Sequence, residues 1–379
     1  MRNDKAWRIG SQMVARVTVR TSRSRRAGSF RFRHPPGSCA PSCQHACALL
    51  ASLAVVGCEG NGGSEAALDF GIHHGEPRPA CDVSAEVDRT PFAMPAVISG
   101  DWTEPRKLAG DVNTPCPEDS IEISFDGQAL YFLGSPRVDA SYDELLHGTT
   151  GVYVARRQAT NPGAFADPTF FDLRQGTRDG AADAELSFTP DGSQVFFHST
   201  RAENTGYVQS PPMDDPLDIY VANITQGVPS AASNVGPPVN SGYIDGEHCL
   251  SPDGTKLFFA STRPGGAGGS DIWVAERHGD SFTEPVHLGA PINSTGADLQ
   301  PAFAASDPST MYFVSDRDGA TSIYRSRFDA GTWSNPEMVL TGYVGEPSLT
   351  ADGSLLYFVH VSVDAGGVFD SDVWYVQRQ

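Results

Sequence analysis

"LSPDGTKLFFASTRP", residues 250–264, joins a turn signal to two apolar runs and ends in an arginine. Asp253 and Gly254 lie between the runs, and the second run, KLFFAS, has the aromatic and aliphatic composition of a half-buried strand. Asp-Gly between two short apolar runs is typical of a β-hairpin whose turn needs positive φ, as a type I′ turn does. The stretch therefore predicts two antiparallel strands.

This pattern is repeated along the chain. The five copies begin at Glu122, Glu185, Glu247, Gln300 and Glu346. Each copy continues into a further β-rich run, such as DIWVAER from Asp271, and three are followed by an aromatic residue with a proline three positions on, such as FTEPVHL from Phe282. Each unit therefore predicts a four-stranded antiparallel sheet.

Sheets that recur at intervals of roughly 45 to 65 residues predict an all-β fold, a single β-propeller, in which short sheets bury both faces against their neighbours. The fifth unit has only three strands before Gln379, whereas WTEPRKL, from Trp102, precedes the first unit as a strand without a sheet. We expect this N-terminal strand to complete the last blade as its outer strand. The count is then five blades, with six as the alternative.

The longer stretch LSPDGTKLFFASTRPGGAGGSDIWVA, residues 250–275, resembles the WD-repeat-like propeller repeats of TolB-type proteins. Its serine, Asp-Gly turn, aromatic strand, Ser-x-Arg and Asp-Ile-aromatic elements stand in the order of that family. The resemblance covers residues 102–379 and implies a binding scaffold in the bacterial envelope. Residues 59–101 are too short for the additional N-terminal α/β domain of TolB itself, so the resemblance concerns the propeller alone.

The N-terminal residues predict an export signal. Residues 1–57 contain ten of the 27 Lys and Arg residues and a single acid, and the apolar run at 46–57 is too short to span a bilayer. VVGC, which ends at Cys58, resembles the bacterial lipobox, in which the cysteine is lipidated. This predicts a leader at 1–57, a lipidated N-terminus and flexible linker at 58–89, and a propeller at 90–379.

The remainder of the chain is strongly acidic, since the net charge is −19 although the leader is basic. Such a surface repels nucleic acid and anionic lipid headgroups, so we expect no nucleic-acid partner and membrane contact through the lipid anchor alone. Cys81 and Cys116 can pair in an oxidising compartment. The predicted location is the bacterial outer membrane, on its periplasmic side or at the cell surface.

The loops between second and third strands differ most in length, and variable loops on a rigid scaffold usually carry binding. They lie on the propeller face opposite the Asp-Gly turns. The exposed aromatic and acidic residues predicted for this binding face are Tyr142, Asp143, Glu144, Tyr207, Asp214 and Asp215. They suit an envelope protein or a glycan, bound by a monomeric propeller through stacking and charge complementarity.

A second group of acids heads the innermost strands, at the entrance to the central channel. These predicted channel acids are Asp183, Glu185, Asp245, Glu247, Asp298 and Glu346, and blade 1 offers Glu118 and Asp119 instead. Converging carboxylates would bind a divalent cation or a basic ligand. The other interpretation is structural, because a residue repeated in every blade caps strand amides or pairs with an arginine. No cofactor is predicted, and Ca2+ is the single candidate.

Arginines also recur, in the Ser-x-Arg element that follows each second strand. They are Arg137, Arg201, Arg263 and Arg317, and aspartates begin the third strands at Asp218, Asp271 and Asp372. Four copies of one catalytic arginine would serve no reaction, whereas repetition suits packing. We therefore predict structural salt bridges within or between blades.

Enzymatic motifs are missing from the sequence: it contains no G-x-S-x-G, no H-E-x-x-H and no P-loop. The Asp-Gly turns also lack the intervening residue of a sialidase Asp-box. The sequence therefore favours a non-enzymatic binding protein with no catalytic residue. The alternative is a propeller glycoside hydrolase that uses two of the channel carboxylates.

Overall fold

The computed structural model describes residues 74–83, 93–135, 151–158, 161–174, 181–201, 203–205, 217–363 and 369–379. These residues form β-strands and no helix. Accordingly, the described part of the chain includes no helix with the length and apolarity needed to cross a membrane.

Five antiparallel sheets form the blades, each with its strands in chain order from the innermost outward. Before the first blade come β1 (Ala96–Val97), β2 (Arg106–Lys107) and β3 (Ala109–Gly110). Blade 1 is β4 (Glu118–Ile123), β5 (Ala129–Gly134), β6 (Gly151–Arg157) and β7 (Ala164–Phe170). Blade 2 is β8 (Asp183–Phe188), β9 (Gln194–Ser199), β10 (Asp218–Thr225), β11 (Val228–Pro229) and β12 (Ser233–Asn234).

The other three blades repeat this order. Blade 3 is β13 (Asp245–Leu250), β14 (Lys256–Ser261), β15 (Asp271–His278), β16 (Ser281–Phe282) and β17 (Val286–His287). Blade 4 is β18 (Asp298–Ala304), β19 (Asp307–Ser315), β20 (Ser322–Asp329), β21 (Thr332–Trp333) and β22 (Glu337–Thr341). Blade 5 is β23 (Val344–Leu349), β24 (Leu355–Val363) and β25 (Phe369–Gln377).

The ring closes as the sequence predicts, with β2 as the outer strand of blade 5. Arg106 pairs with Tyr375 and Lys107 with Trp374, both antiparallel. The inner strands also contact one another in a complete circle, β4 to β8, β13, β18, β23 and back to β4. The prediction of a five-bladed propeller is therefore confirmed.

The hydrophobic core lies between the blades, in five separate layers. One phenylalanine of each second strand is fully buried in these layers: Phe132, Phe197, Phe259, Phe313 and Phe358. A blade thus buries both of its faces only when it has a neighbour on each side, which is why the ring must close.

The repeated turn differs in detail from the type I′ geometry that Asp-Gly suggests. In the Asp-Gly turn of blade 3, only Gly254 has positive φ, at +70°, and its N–H donates to the Ser251 carbonyl at 2.7 Å. Blades 1 and 5 form the same turn with Phe125 and Ala351 in place of Pro252, so a type I turn followed by a left-handed glycine forms with or without the proline. The hairpin is as predicted, with a longer turn.

Residues 74–83, which the sequence places in the linker, lie on blade 1. Pro77 forms a bridge with Thr169, and Cys81 forms a disulfide with Cys116. Since this segment is bonded to the blade by backbone pairing and a covalent link, the part of the chain held by the propeller begins before residue 90.

Candidate functional site

One residue of every inner strand turns toward the ring axis. These residues are Ser120, Glu185, Glu247, Gln300 and Glu346, and each has a φ between 47° and 54°. In every blade the pairing with the second strand shifts register at this residue, as a β-bulge does. Left-handed φ costs a non-glycine residue roughly 1–2 kcal/mol. The fold thus directs five polar side chains inward although glycine would adopt this backbone more easily.

Three of these side chains meet at the axis and form what we call the glutamate cluster: Glu185, Glu247 and Glu346. One carboxylate oxygen of each lies within 4.8 Å of the corresponding oxygens of the other two. They come from blades 2, 3 and 5, so they can approach one another only in the central channel. Their exposed fractions are 8%, 5% and 1%, so the channel shields them from bulk solvent.

Neighbouring groups hold two of the glutamates in place. Gln300 donates from its Nε2 to Glu346 Oε1 at 2.5 Å and accepts the Glu346 N–H at its Oε1 at 3.0 Å. The backbone N–H of Glu247 donates to Nδ1 of the buried His198 at 3.3 Å. The remaining Oε2 atoms of Glu185, Glu247 and Glu346 are buried and accept no hydrogen bond from a described donor group, while Glu185 and Glu346 lie within hydrogen-bonding range of each other when one of them is protonated.

Burial is the main influence on the pKa values of the glutamate cluster. Burial, with a smaller contribution from the nearby Asp119, raises the pKa of Glu247 to about 7 against the lowering effect of a hydrogen bond from Gln300. Burial also raises the pKa values of Glu185 and Glu346 well above the ordinary range, and each is raised again by the other carboxylates. The ionised cluster therefore requires positive charge that the described side chains do not supply.

Blade 1 adds two acids beside the cluster, although Ser120 occupies the inward position there. Burial raises the pKa of Asp119 to about 6. Glu122 accepts a hydrogen bond from Ser348 Oγ at 2.8 Å, and burial raises its pKa to about 8. The channel wall is thus acidic on the side of blade 1 as well.

The aspartates two positions before the inward residues have a different environment. Arg201 donates to both carboxylate oxygens of Asp183, at 3.2 and 3.0 Å. In blades 3 and 4, Arg263 contacts Asp245 at 2.6 Å and Arg317 contacts Asp298 at 2.5 Å. We call these three contacts the aspartate–arginine pairs. They place Asp183, Asp245 and Asp298 in salt bridges within their own blades.

Each arginine of these pairs is also sandwiched by aromatic rings of the same blade. The guanidinium of Arg263 lies 5.0 Å from the Phe259 ring and 5.4 Å from the Trp273 ring. Its Nε donates to Ser261 Oγ at 2.9 Å, and Arg317 Nε donates in the same way to Ser315 Oγ, so the serine of Ser-x-Arg orients the arginine in blades 3 and 4. Arg201 and Arg317 stack in the same way on the phenylalanine and tyrosine of their blades. The pairs therefore fix the first three strands of a blade together.

Blade 1 obtains its arginine from outside the repeat. Arg78 contacts Glu118 at 2.7 Å and stacks on Phe132 and Tyr153, the positions that a repeat arginine would use. Thr114 supplies further hydrogen bonds to the Glu118 carboxylate. Arg137, the repeat arginine of blade 1, lies outside the described residues.

The aspartates that begin the third strands bind other groups than these arginines. Asp218 accepts the Thr205 N–H at 2.6 Å, Asp271 accepts the Ala267 N–H at 2.7 Å, and Asp372 contacts Lys107 of β2 at 2.6 Å. They tie down the loops before them or the closing strand. The salt bridges of the Ser-x-Arg arginines therefore involve the first strand instead of the third.

The residues predicted for the binding face, Tyr142, Asp143, Glu144, Tyr207, Asp214 and Asp215, lie outside the described residues, as does the predicted lipidation site Cys58. Sequence reasoning missed Arg78 and His198. Arg78 has no repeat equivalent, so no pattern in the sequence points to it. His198 could have been noticed in the sequence, because it is the one histidine in the second strands of blades 1 to 4.

A second concave region lies on the outside, at the boundary of blades 4 and 5. It is a cavity of about 300 Å³ bordered by Arg325, Arg327 and Arg378 together with acids. Arg325 already contacts Asp101 at 2.5 Å and Glu337 at 2.9 Å. Since its charges are paired with one another, this cavity is a weaker site than the channel.

No family model matches the sequence, and no curated protein matches it. Solved structures do resemble it. TolB from Acinetobacter baumannii aligns with a TM-score of 0.40 at 14% identity, over 65% of this chain and 53% of that one, so this chain spans about half of that TolB. A putative TolB from Agrobacterium tumefaciens aligns with a TM-score of 0.40 at 17% identity, over 70% and 91% of the two chains.

A propeller enzyme is similar to the same degree. The α-L-arabinofuranosidase from Lactobacillus brevis aligns with a TM-score of 0.45 at 14% identity, over 70% of this chain and 92% of that one. TolB-like propellers and propeller glycoside hydrolases are thus both among the structures that this chain resembles, and at such identities the likeness concerns the fold.

Proposed function

We propose that this protein is an exported lipoprotein whose propeller binds an envelope protein or a glycan through the long loops of blades 1 and 2. The observation that carries this proposal is the distribution of connection length around the ring. Between second and third strands, the chain runs from Gly134 to Gly151 in blade 1 and from Ser199 to Asp218 in blade 2, but only from Ser315 to Ser322 in blade 4. Two adjacent blades thus carry the excess length on one face.

Export is supported by the covalent structure. The Cys81–Cys116 disulfide is the kind of bond that persists in the periplasm and at the cell surface, whereas cytosolic reductants remove it. This agrees with a lipidated Cys58 and the location at the outer membrane that the leader predicts. Metabolic labelling with a fatty acid tests the anchor: a Cys58→Ser variant should lose the label, and a labelled variant would contradict the anchor.

The binding test uses the chain from residue 59 onward as bait, which retains the disulfide and the Arg78–Glu118 salt bridge. A second bait has the loops at 138–149 and 206–216 shortened. The matched control carries Phe125→Ser, which replaces an exposed ring on the opposite face. A partner from detergent-solubilised envelope, or a glycan on an array, should bind the first bait and the control. Equal binding to the shortened bait would contradict the proposal.

The second candidate is a glycoside hydrolase, which one observation favours: burial raises the pKa of Glu247 to about 7, as a general acid at neutral pH requires. The closeness of the cluster opposes an inverting enzyme, because one oxygen of each glutamate lies within 4.8 Å of the others, whereas the two carboxyl groups of an inverting enzyme are roughly 6.5–9.5 Å apart. A substrate would also need room beside carboxylates that are at most 8% exposed. An oligosaccharide panel compared with Glu247→Gln decides between them, since turnover that the variant loses would support the enzyme.

A further inference from the structure

The glutamate cluster has the form of a site for a small positive ion. Three blades each direct one glutamate to the axis, and the three carboxylate oxygens lie within 4.8 Å of one another. An ion bound at 2.3–2.6 Å separates oxygens on its opposite sides by about 4.6–5.2 Å. The 4.8 Å limit on the oxygen–oxygen separations is thus compatible with all three glutamates binding a single Ca2+.

The unpartnered atoms are the second, independent observation. Oε2 of Glu185, Glu247 and Glu346 is buried in each case and accepts no hydrogen bond from a donor group in the described part of the chain. Buried carboxylates are otherwise paired or coordinated to a metal, because the cost of desolvating an unpaired charge is large. Two positions before Glu185 and Glu247, the fold supplies an arginine to each buried aspartate. Nothing comparable reaches the cluster from the described residues.

The available ligands select the class of ion. Carboxylates provide hard oxygen ligands, and no cysteine or histidine belongs to the cluster, so zinc and the later transition metals are disfavoured. Three glutamates can offer up to six oxygens, and Ca2+ takes six to eight. Mg2+ demands a near-ideal octahedron at about 2.0–2.1 Å and gives up its waters reluctantly, so a cage of protein carboxylates suits it less than it suits Ca2+.

We propose that the central channel binds one divalent cation, Ca2+ above others, through the carboxylates of Glu185, Glu247 and Glu346. Gln300 acts as a positioning residue, because its two hydrogen bonds hold the side chain and the backbone of Glu346. The ion joins blades 2, 3 and 5 at the axis and neutralises the charge that burial would otherwise disfavour. This proposal is independent of the binding face, since its ligands lie in the channel.

The test is isothermal titration of Ca2+ into the chain from residue 59 onward after treatment with a chelator. We expect one site per molecule and a melting midpoint that rises with Ca2+, since an ion that binds only the folded state stabilises it. The isosteric variants Glu247→Gln and Glu346→Gln should bind at least tenfold more weakly. Glu284→Gln, which removes an exposed carboxylate from the same blade as Glu247, should bind as the parent does.

Two results would overturn the proposal. One is the absence of binding heat and of any shift in the melting midpoint in the folded parent, which would mean that protons neutralise the cluster. The other is an affinity that Glu247→Gln and Glu346→Gln leave unchanged, which would place the ion elsewhere. Mg2+ and Zn2+ are titrated in parallel, and tighter binding of either would contradict the assignment to Ca2+. Because the readout needs no partner, failure here leaves the binding-face proposal standing.

Discussion

In blades 2 and 3, an aspartate of an aspartate–arginine pair and a glutamate of the glutamate cluster lie two residues apart on the same inner strand, yet their surroundings differ. Asp245 has the guanidinium of Arg263 at 2.6 Å, whereas Glu247 faces other carboxylates. Both are buried and both recur from blade to blade. The difference shows that repetition alone does not distinguish structure from site: a repeated acid is structural when its own blade neutralises it, and points to a ligand when its blade does not.

The largest effect should come from removing the arginine of one pair. Arg263→Met leaves the fully buried Asp245 without its counter-ion, and the free energy of unfolding should fall by about 3–5 kcal/mol. Denaturant unfolding with chelator present measures it. The control is the double variant Asp245→Asn, Arg263→Met, which should recover much of the loss; if it recovers none, the loss comes from the stacking of Arg263 on its rings.

The glutamate cluster should respond in the opposite direction. Without a cation, Glu247→Gln removes one of several like charges in a buried site, so the free energy of unfolding should rise by roughly 1–3 kcal/mol. In saturating Ca2+ the order should reverse, because the variant has lost a ligand. Denaturant curves with and without Ca2+ test this crossing. A variant that is less stable than the parent in both conditions would mean that Glu247 is structural, like Asp245.

Adding a carboxylate from blade 4 to the glutamate cluster should increase its affinity for Ca2+. Gln300→Glu places a fourth carboxylate in the channel and removes the Nε2 donor to Glu346. Because the number of charged ligands tunes calcium affinity, binding should tighten roughly tenfold, which corresponds to about 1.4 kcal/mol. The protein should also become less stable in chelator. Calorimetric titration beside the parent shows whether affinity rises, and weaker binding would place the ion away from Gln300.

The smallest expected effect on stability comes from the exposed aspartates of the turns. Their pKa values are lowered, whereas those of the glutamate cluster are raised. Hydrogen bonds from Ser251 and Thr255 lower the pKa of Asp253 to about 2. The folded pKa lies below the unfolded value near 3.9, so this stabilisation is present above pH 4 and lost as the pH falls through 2.

Asp253→Asn should therefore destabilise the protein at neutral pH by a few tenths of a kcal/mol, since solvent screens an exposed group. Unfolding curves at a series of pH values measure the difference from the parent. The difference should vanish near pH 2. A difference that stays constant through that range would attribute the effect to the shape of the turn instead of its charge.

The fold follows from the sequence because its determinants are local and repeated. The five hairpins, their apolar second strands and the closing strand at Trp102 can all be recognised by comparing one unit with the next. The turn was predicted less accurately, since only its glycine has positive φ, both in blades with a proline before the aspartate and in blades without one. The attachment of residues 74–83 depends on a disulfide and a salt bridge between distant parts of the chain, which no local pattern encodes.

The sequence predicts that acids lie at the channel, but it does not predict which of them pair with arginines and which face the axis. Asp183 and Glu185 look alike in a sequence, because both are acids near the start of an inner strand. Only the bulge separates them: it directs Glu185 to the axis and leaves Asp183 beside Arg201. The register shift arises from backbone pairing in three dimensions, and the sequence carries no glycine at that position to announce it.

A crystal structure of the chain grown with Ca2+, compared with one grown in chelator, shows whether the glutamate cluster binds the ion. We expect a strong difference peak on the ring axis within 2.3–2.6 Å of carboxylate oxygens from Glu185, Glu247 and Glu346. We also expect the aspartate–arginine pairs to be the same in both crystals. Identical electron density in the two crystals, with only water between the three carboxylates, would contradict the proposed cation site. It would mean that protons neutralise the cluster.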